Sequence, residues 1–270
     1  MKIFDIYVKI RPITANILSS ILFVVLIGSY VWTSYSRHQE NPADKIMPSI
    51  SQMYDGLMRS AFEKDARTEE YRLLIDTIAS TRRFFISLGI IFIAVILGVT
   101  MGVFPYIEYI FLKFVTFFDK IPALALLPIL FIVFGLGEVS KIALIVLGVF
   151  PTICLDTFLR AKAVSHEQII KGATLGASNF EIAYRIVLPQ IFPQVLDTIR
   201  LNFKAIILFL IAGESLAATA GLGYRIFVVR RYLAMDIIIP YVIWMSFLAM
   251  LADFIVRFWI KKRYPWIENK

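Results

Sequence analysis

The chain has 270 residues, of which 59% are hydrophobic and 18% charged. Soluble domains average about 45–50% apolar and about 25% charged residues, so disordered, collagen-like and disulfide-scaffold classes are excluded and an integral membrane protein is indicated. The net charge of +8 reflects basic residues flanking apolar spans, where anionic headgroups attract them. No basic run with interleaved aromatics lies outside the spans, which argues against a nucleic-acid partner.

A spanning helix needs roughly 20 apolar residues, and residues 13–35 supply the first. Lys2, Lys9 and Arg11 precede it as in a signal peptide. The apolar core is too long for one, however, and no small-residue cleavage site follows, so a retained helix is expected. The 36–81 stretch is the largest hydrophilic piece. Within it Ile50, Met53, Tyr54, Leu57, Met58, Ala61 and Phe62 recur at helical spacing and predict an amphipathic helix. That helix is read either as a cap packed on the spans or as a docking surface for another protein. A second helical stretch, 69–79, feeds the second span at 84–104.

Residues 106–118 are apolar but carry Glu108 and Lys113, which predicts an interfacial helix. A break at Pro122 and a short or tilted span over 121–134 follow. Later spans are expected at 139–159, 193–213 and 237–260, the last ending against Lys261, Lys262 and Arg263. Six spans put both termini on one side. Lys and Arg divide almost evenly between the loops of the two sides, so the positive-inside rule gives no orientation. The organisation expected is an N-terminal helix and loop (1–83), a core (84–260) and a short tail (261–270).

Residues 160–190 lie between two spans and carry a pattern of their own. Ser165-His166-Glu167-Gln168 and Ser178-Asn179-Phe180-Glu181 both have the form of capping boxes, in which hydroxyl and side-chain groups satisfy orphan N–H donors. Gly176 is placed to close the first helix in a left-handed conformation. In the second, Phe180, Ala183, Tyr184 and Val187 form an apolar face, Glu181 and Arg185 an i,i+4 pair, and Leu188-Pro189 is expected to stop it. Two short capped helices joined at a glycine predict a rigid knob able to transmit force.

Gly176, nine intervening residues and Ile186-Val187-Leu188-Pro189 resemble the signature loop of binding-protein-dependent ABC importer permeases, which reads Glu-Ala-Ala, three residues, Gly, nine residues, Ile-x-Leu-Pro. The wider chain is similar to the nitrate/sulfonate/taurine group through residues 121–128 (IPALALLP), Phe134-Gly135-Leu136-Gly137-Glu138, and Gly213-Glu214-Ser215 followed by Gly221-Leu222-Gly223-Tyr224. One departure stands out: the Glu-Ala-Ala positions hold Ile170-Lys171-Gly172, so the acidic group is missing, with Ile170 at its place and Lys171 beside it. Lys171 reverses the local charge preference toward an acidic partner surface.

The resemblance implies an all-α integral membrane protein with the type I ABC importer permease fold, in a bacterial cytoplasmic (inner) membrane with both termini cytoplasmic. It implies ATPase subunits docking on a coupling loop that includes Ser165, Ile170, Lys171, Gly172, Gly176, Ala177, Ser178, Ile186, Leu188 and Pro189. It also implies a periplasmic or lipoprotein solute-binding protein, a second permease subunit (an identical copy or a similar chain) and surrounding membrane lipid. The solute class implied is a small anion, zwitterion or nitrogen compound, moved by ATP-driven alternating access.

No Gly-x-x-x-x-Gly-Lys-Ser/Thr is present, and the Gly135 and Gly221 motifs lack the lysine and setting of a phosphate cradle, so both read as tight turns. His38 and His166 are far apart, Cys154 is the single cysteine, and Asp156, Asp197 and Asp253 occur singly, so neither metal nor catalytic spacing exists. ATP and Mg are therefore expected on a separate ATPase subunit, with no cofactor on this chain. Ionisable residues within spans face a cavity or a partner. Asp197, Arg200 and Lys204 read as an internal ion pair with snorkelling, and Asp253 with Arg257 as a structural pair. By the resemblance, Glu214 takes the place of the family's cavity-side glutamate, and Asn202, Glu214 and Ser215 are expected to line the translocation path.

Overall fold

A computed structural model describes residues 11–41, 44–64 and 69–267. Lys2 and Lys9, and the end of the 261–270 tail, lie outside the described residues. Those residues form helices and no sheet; a single isolated bridge joins Lys64 to Tyr71. Four helices are long and apolar enough to cross a membrane: Ile13–Glu40, Arg72–Val103, Glu138–Lys162 and Met235–Arg263. Two bent pairs add up to two more, Pro105–Asp119 with Ala123–Phe134 (86°) and Phe203–Ala217 with Leu222–Arg230 (55°). Six spans, the number read from the sequence, is the upper end of this range.

Helix α1 (Pro12–Glu40) is apolar around most of its circumference and exposes almost every residue. Its far end is tied to the following loop, where Tyr30 donates to the Pro48 carbonyl at 2.8 Å and Arg37 pairs with Asp44. Helix α2 (Ile50–Phe62) is the amphipathic helix predicted. Its Ser49–Gln52 capping box is complete, and it packs on α12 (Met235–Arg263) with Gly56 against the Asp236 backbone and Arg59 paired to Asp236 at 3.1 Å. This packing is what the cap reading expects, while Ile50, Tyr54 and Phe62 stay exposed.

Helix α3 (Arg72–Val103) is one unbroken rod of 32 residues, so the second span and the helical stretch before it are a single element. Its most extensive partner is α6 (Glu138–Lys162). Close approach is possible because Gly98 and Gly102, one turn apart, face Cys154, Thr157 and Ala161. Within lipid, where burial of apolar surface gains nothing, such small residues are what let helices pack tightly. Ile91, Ala94, Val95 and Val99 complete the buried face of α3.

Helix α4 (Pro105–Asp119) presents Tyr106, Tyr109, Ile110 and Phe117 outward and ends in the break expected at Pro122. A 3-10 turn (Ala123–Leu126) leads into α5 (Leu127–Phe134), which stops at Gly135 with φ +72°. After α6 come α7 (His166–Thr174), the short α8 (Asn179–Glu181), α9 (Leu188–Leu201), α10 (Phe203–Ala217) and α11 (Leu222–Arg230).

Two sequence expectations fail here. No stop occurs at Leu188-Pro189: Ile182–Val187 widens into a π-helix, the Leu188 N–H bonds the Ala183 carbonyl five residues back, and α9 continues. Proline has no N–H to donate and crowds the preceding turn, and the widened π turn before it is what admits the Pro189 ring. Nor does Ser165 close a capping box. It makes no side-chain cap; the Gln168 N–H goes to the Ser165 carbonyl instead, at 3.1 Å.

Candidate functional site

The segment between α6 and α9 is a folded elbow. Helix α7 ends in a complete Schellman closure: Gly176 sits at φ +87°, its N–H bonds the Ala173 carbonyl at 3.0 Å, and the Ala177 N–H bonds the Gly172 carbonyl at 3.1 Å. Glycine reaches this left-handed region without a Cβ penalty. Helix α8 starts at the second predicted capping box, which forms in full between Ser178 and Glu181. The Ser178 N–H and hydroxyl, then Arg185 at 2.9 Å, hold the Glu181 carboxyl below the usual carboxylate range. Burial raises the Tyr184 hydroxyl.

The two halves of the elbow lock together at Gly172, which is buried against Ile186; a Cβ there would lie 2.5 Å from the Ile186 side-chain tip. Ala183 and Val187 are fully buried, and the Phe180 ring meets Phe104 at the end of α3, 5.4 Å between centroids. Outward the character changes. Leu175 is 88% exposed, and Ile170 and Phe180 are also exposed, beside Lys171, Ser165 and Pro189. Leu188 is half-buried. A braced elbow with large apolar side chains in the open, and a cation beside them, has the chemistry of a docking surface.

At the opposite end of α6 lies a polar cluster that sequence reasoning missed. Glu214, on α10, is completely buried. It accepts from Ser80 Oγ at 2.7 Å, Arg83 Nη1 at 2.7 Å and the Gly223 N–H at 2.8 Å. Arg83 also forks Glu138, Nε to Oε2 at 2.6 Å and Nη2 to Oε1 at 2.8 Å, and bonds the Ala220 carbonyl at 2.8 Å. Lys141 joins Glu138 at 2.8 Å. Asp76 accepts from Arg225 at 2.8 Å, from Tyr241 at 3.3 Å and from the Gly221 N–H at 2.9 Å, while the Leu222 N–H goes to Ser80.

Three consecutive N–H groups at the start of α11, donors that no helix can satisfy internally, are thus capped by side chains from α3 and α10. Gly221, at φ +142°, leaves room for this: a Cβ there would strike the Glu214 carboxylate. Three carboxylates face three cations, so the cluster closes with its charge balanced, as buried ions require.

Of the residues expected along a translocation path, Glu214 lies buried in this cluster, Ser215 bonds the Ala212 carbonyl of its own helix, and Asn202 bonds the Thr198 carbonyl. Arg200 forms the predicted pair with Asp197 at 3.0 Å but also reaches Asp253 at 2.7 Å, closer than Arg257 at 3.7 Å. The Asp253 pair therefore ties α9 to α12.

The model of the family described as "Binding-protein-dependent transport system inner membrane component" matches residues 90–264, more than half of the chain. The taurine transport system permease protein TauC of Escherichia coli is 29% identical over 189 residues, covering 70% of this chain and 69% of that protein. The formylaminopyrimidine transport permease protein ThiX of Halalkalibacterium halodurans is 28% identical over 143 residues, covering 52% of this chain and 57% of that protein.

Proposed function

Because the chain belongs to the family of binding-protein-dependent transport system inner membrane components, and so is an ABC importer permease, we propose a particular way in which it works. The elbow of residues 165–189 faces the cytosol, as do both termini, and an ATP-hydrolysing subunit, carrying ATP and Mg, docks on it. The connection between α1 and α3, with helix α2 in it, faces outward, where a solute-binding protein delivers its load. Two permease subunits, identical or similar, enclose the route, and ATP-driven closure of the ATPase pair opens it by alternating access. The solute is a small anion or zwitterion of the kind taurine represents, the reading favoured by the likeness to TauC.

One observation carries this proposal: a rigidly closed elbow leaves Ile170, Leu175 and Phe180 in the open on a segment outside the apolar spans. A helix-in-groove contact buries such side chains and transmits displacement with little compliance. Lys171, beside the position where the signature has its glutamate, favours an acidic rim on the partner's groove.

The test is co-isolation with the ATPase subunit made from the same genome. Leu175→Asp is expected to weaken the complex by about 30-fold, the effect of losing an interface anchor of about 2 kcal/mol, with the thermal unfolding of the chain unchanged. Undiminished co-isolation overturns the docking assignment. A cysteine at Lys171 that reacts with an impermeant reagent from outside the cell overturns the orientation.

A further inference from the structure

We infer that Arg83 is a positioning residue for transport: it clasps the far ends of both helical arms that leave the coupling elbow, so that displacement of the elbow arrives at the opposite side of the membrane as one rigid movement. This rests on the reading of residues 165–189 as the ATPase-docking elbow.

The geometry is one of convergence. The first arm is α6, whose last residues, Arg160 and Lys162, lead into the elbow and whose first residue is Glu138. At 1.5 Å per residue its length from Lys162 to Glu138 is about 36 Å. The second arm leaves the elbow at Leu188 and runs through α9 and α10. The bonds Asn202 N–H to Thr198 O (3.1 Å) and Ile206 N–H to Asn202 O (3.0 Å) carry the helical ladder across the junction. Its length to Glu214 is about 39 Å if straight. Two arms of nearly equal length thus end in a carboxylate each, and both carboxylates sit on the same guanidinium: Glu138 on the Nε and Nη2 edge, Glu214 and the Ala220 carbonyl on Nη1.

Only arginine offers a planar fork that serves two such acceptors at once; a lysine is a point charge and holds one geometry less well. The side chains of Arg83 and Lys141 are only 6% and 4% exposed, while that of Glu138 is 55% exposed. The clasp is therefore buried at its cations and reachable at Glu138. Separating α6 from α10 would leave the Arg83 guanidinium short of an anion in a poorly solvated position, which opposes shear between the arms. The Ala220 contact extends the grip to the 55° bend between α10 and α11, the segment that an arm movement would carry with it.

Spin labels test this directly, because Cys154 is the single cysteine and is fully buried, so labels go only where cysteines are added. Val139 and Leu216, both exposed, sit beside the two clasped carboxylates on α6 and α10. In the full chain in lipid nanodiscs, the distance distribution between labels at these positions should be narrow. Arg83→Lys should broaden it at least twofold, and Glu138→Gln should broaden it less.

In the complex with the ATPase subunit, Glu138→Gln is expected to leave ATP hydrolysis running while solute moved per ATP falls. The fall should be about tenfold, the factor that weakening one charge-assisted contact carries, with Glu138→Asp restoring part of it. A distribution equally narrow in Arg83→Lys and the unmodified chain overturns the clasp. So does an unchanged ratio of transport to hydrolysis in Glu138→Gln. An unmodified complex that neither binds nor hydrolyses ATP overturns instead the importer reading, while the resting label distances still decide the clasp.

Discussion

The two ends of α6 treat polar and apolar groups in opposite ways. At Glu138 the chain turns its charges on itself: Arg83, Glu214, Lys141, Asp76 and Arg225 find partners within the fold, and even the first N–H groups of α11 are claimed by side chains. At the elbow that α6 enters, the turn from α7 to α8 is closed by a Schellman motif and a capping box, yet Ile170, Leu175 and Phe180 stand exposed. The first region is built to hold the fold, and the second to be completed by something else. Stability should therefore be sensitive to the cluster and indifferent to the outward face of the elbow, and association should show the reverse.

Glu214→Ala is the strongest way to break that contrast. It removes the anion that Ser80, Arg83 and Gly223 all address and leaves Arg83 with one carboxylate. Deleting one partner of a buried ion pair costs about 3–5 kcal/mol, read as a lowered unfolding midpoint of the purified protein in detergent or nanodiscs. Ser215→Ala, one residue along but bonded only within its own helix, should stay within about 0.5 kcal/mol of the unmodified chain. Equal effects at the two positions would end the claim that this cluster is what anchors the α10–α11 bend.

The α3–α6 seam gives the next largest effect. A Cβ at Gly98 would lie 2.6 Å from both the Cys154 carbonyl oxygen and the Thr157 Cβ, whereas one at Gly89 on the same helix meets nothing within 4 Å. Gly98→Val is expected to destabilise by about 1–3 kcal/mol through overpacking, and Gly89→Val by much less. The same unfolding measurement ranks them. Loss of the ranking would mean that the seam is free to open, against the close approach seen here.

The contrast also explains what could be read from the sequence. The elbow was legible because caps are local: Ser178 and Glu181 are three residues apart, Gly176 closes the helix before them, and all but the Ser165 box formed as expected. The amphipathic face of α2 was legible for the same reason, since a helical period needs no knowledge of the rest of the chain. The cluster was not, because its members come from residues 76 to 241, and pairs such as Arg83 with Glu214 are joined only by the fold.

A signal existed in Asp76, Ser80, Arg83 and Ser87, spaced four, three and four apart, which put one polar stripe on the buried face of α3. Apolarity alone marks the second span only from residue 84, so three of these four residues fall before it although the helix begins at Arg72. A stop at Pro189 is sound for an ordinary α-helix, and the π-helix before it is the local change that admits the ring.

The smallest expected effect tests the elbow from within. Ser178→Ala removes the hydroxyl that accepts the Glu181 N–H at 3.3 Å, and loss of a helix cap of this kind costs about 1 kcal/mol. Protonating Glu181 should loosen the same box from its other side. Its carboxyl is held below the usual range by the Ser178 N–H, the Ser178 hydroxyl and Arg185, so its folded-state pKa lies beneath that of the unfolded chain. A depressed carboxylate contributes stability that is fully present above the unfolded value, about 4.3 for glutamate, and that is lost as pH falls through the folded value. Amide exchange at Ser178 and Ile182, corrected for intrinsic rates, should show constant protection near neutrality and a decline in acid. Glu181→Gln should show a profile without that decline. Protection that falls equally in both would assign the loosening to another titrating group and leave the cap as a neutral contact, unlike the charged cluster at the far end of α6.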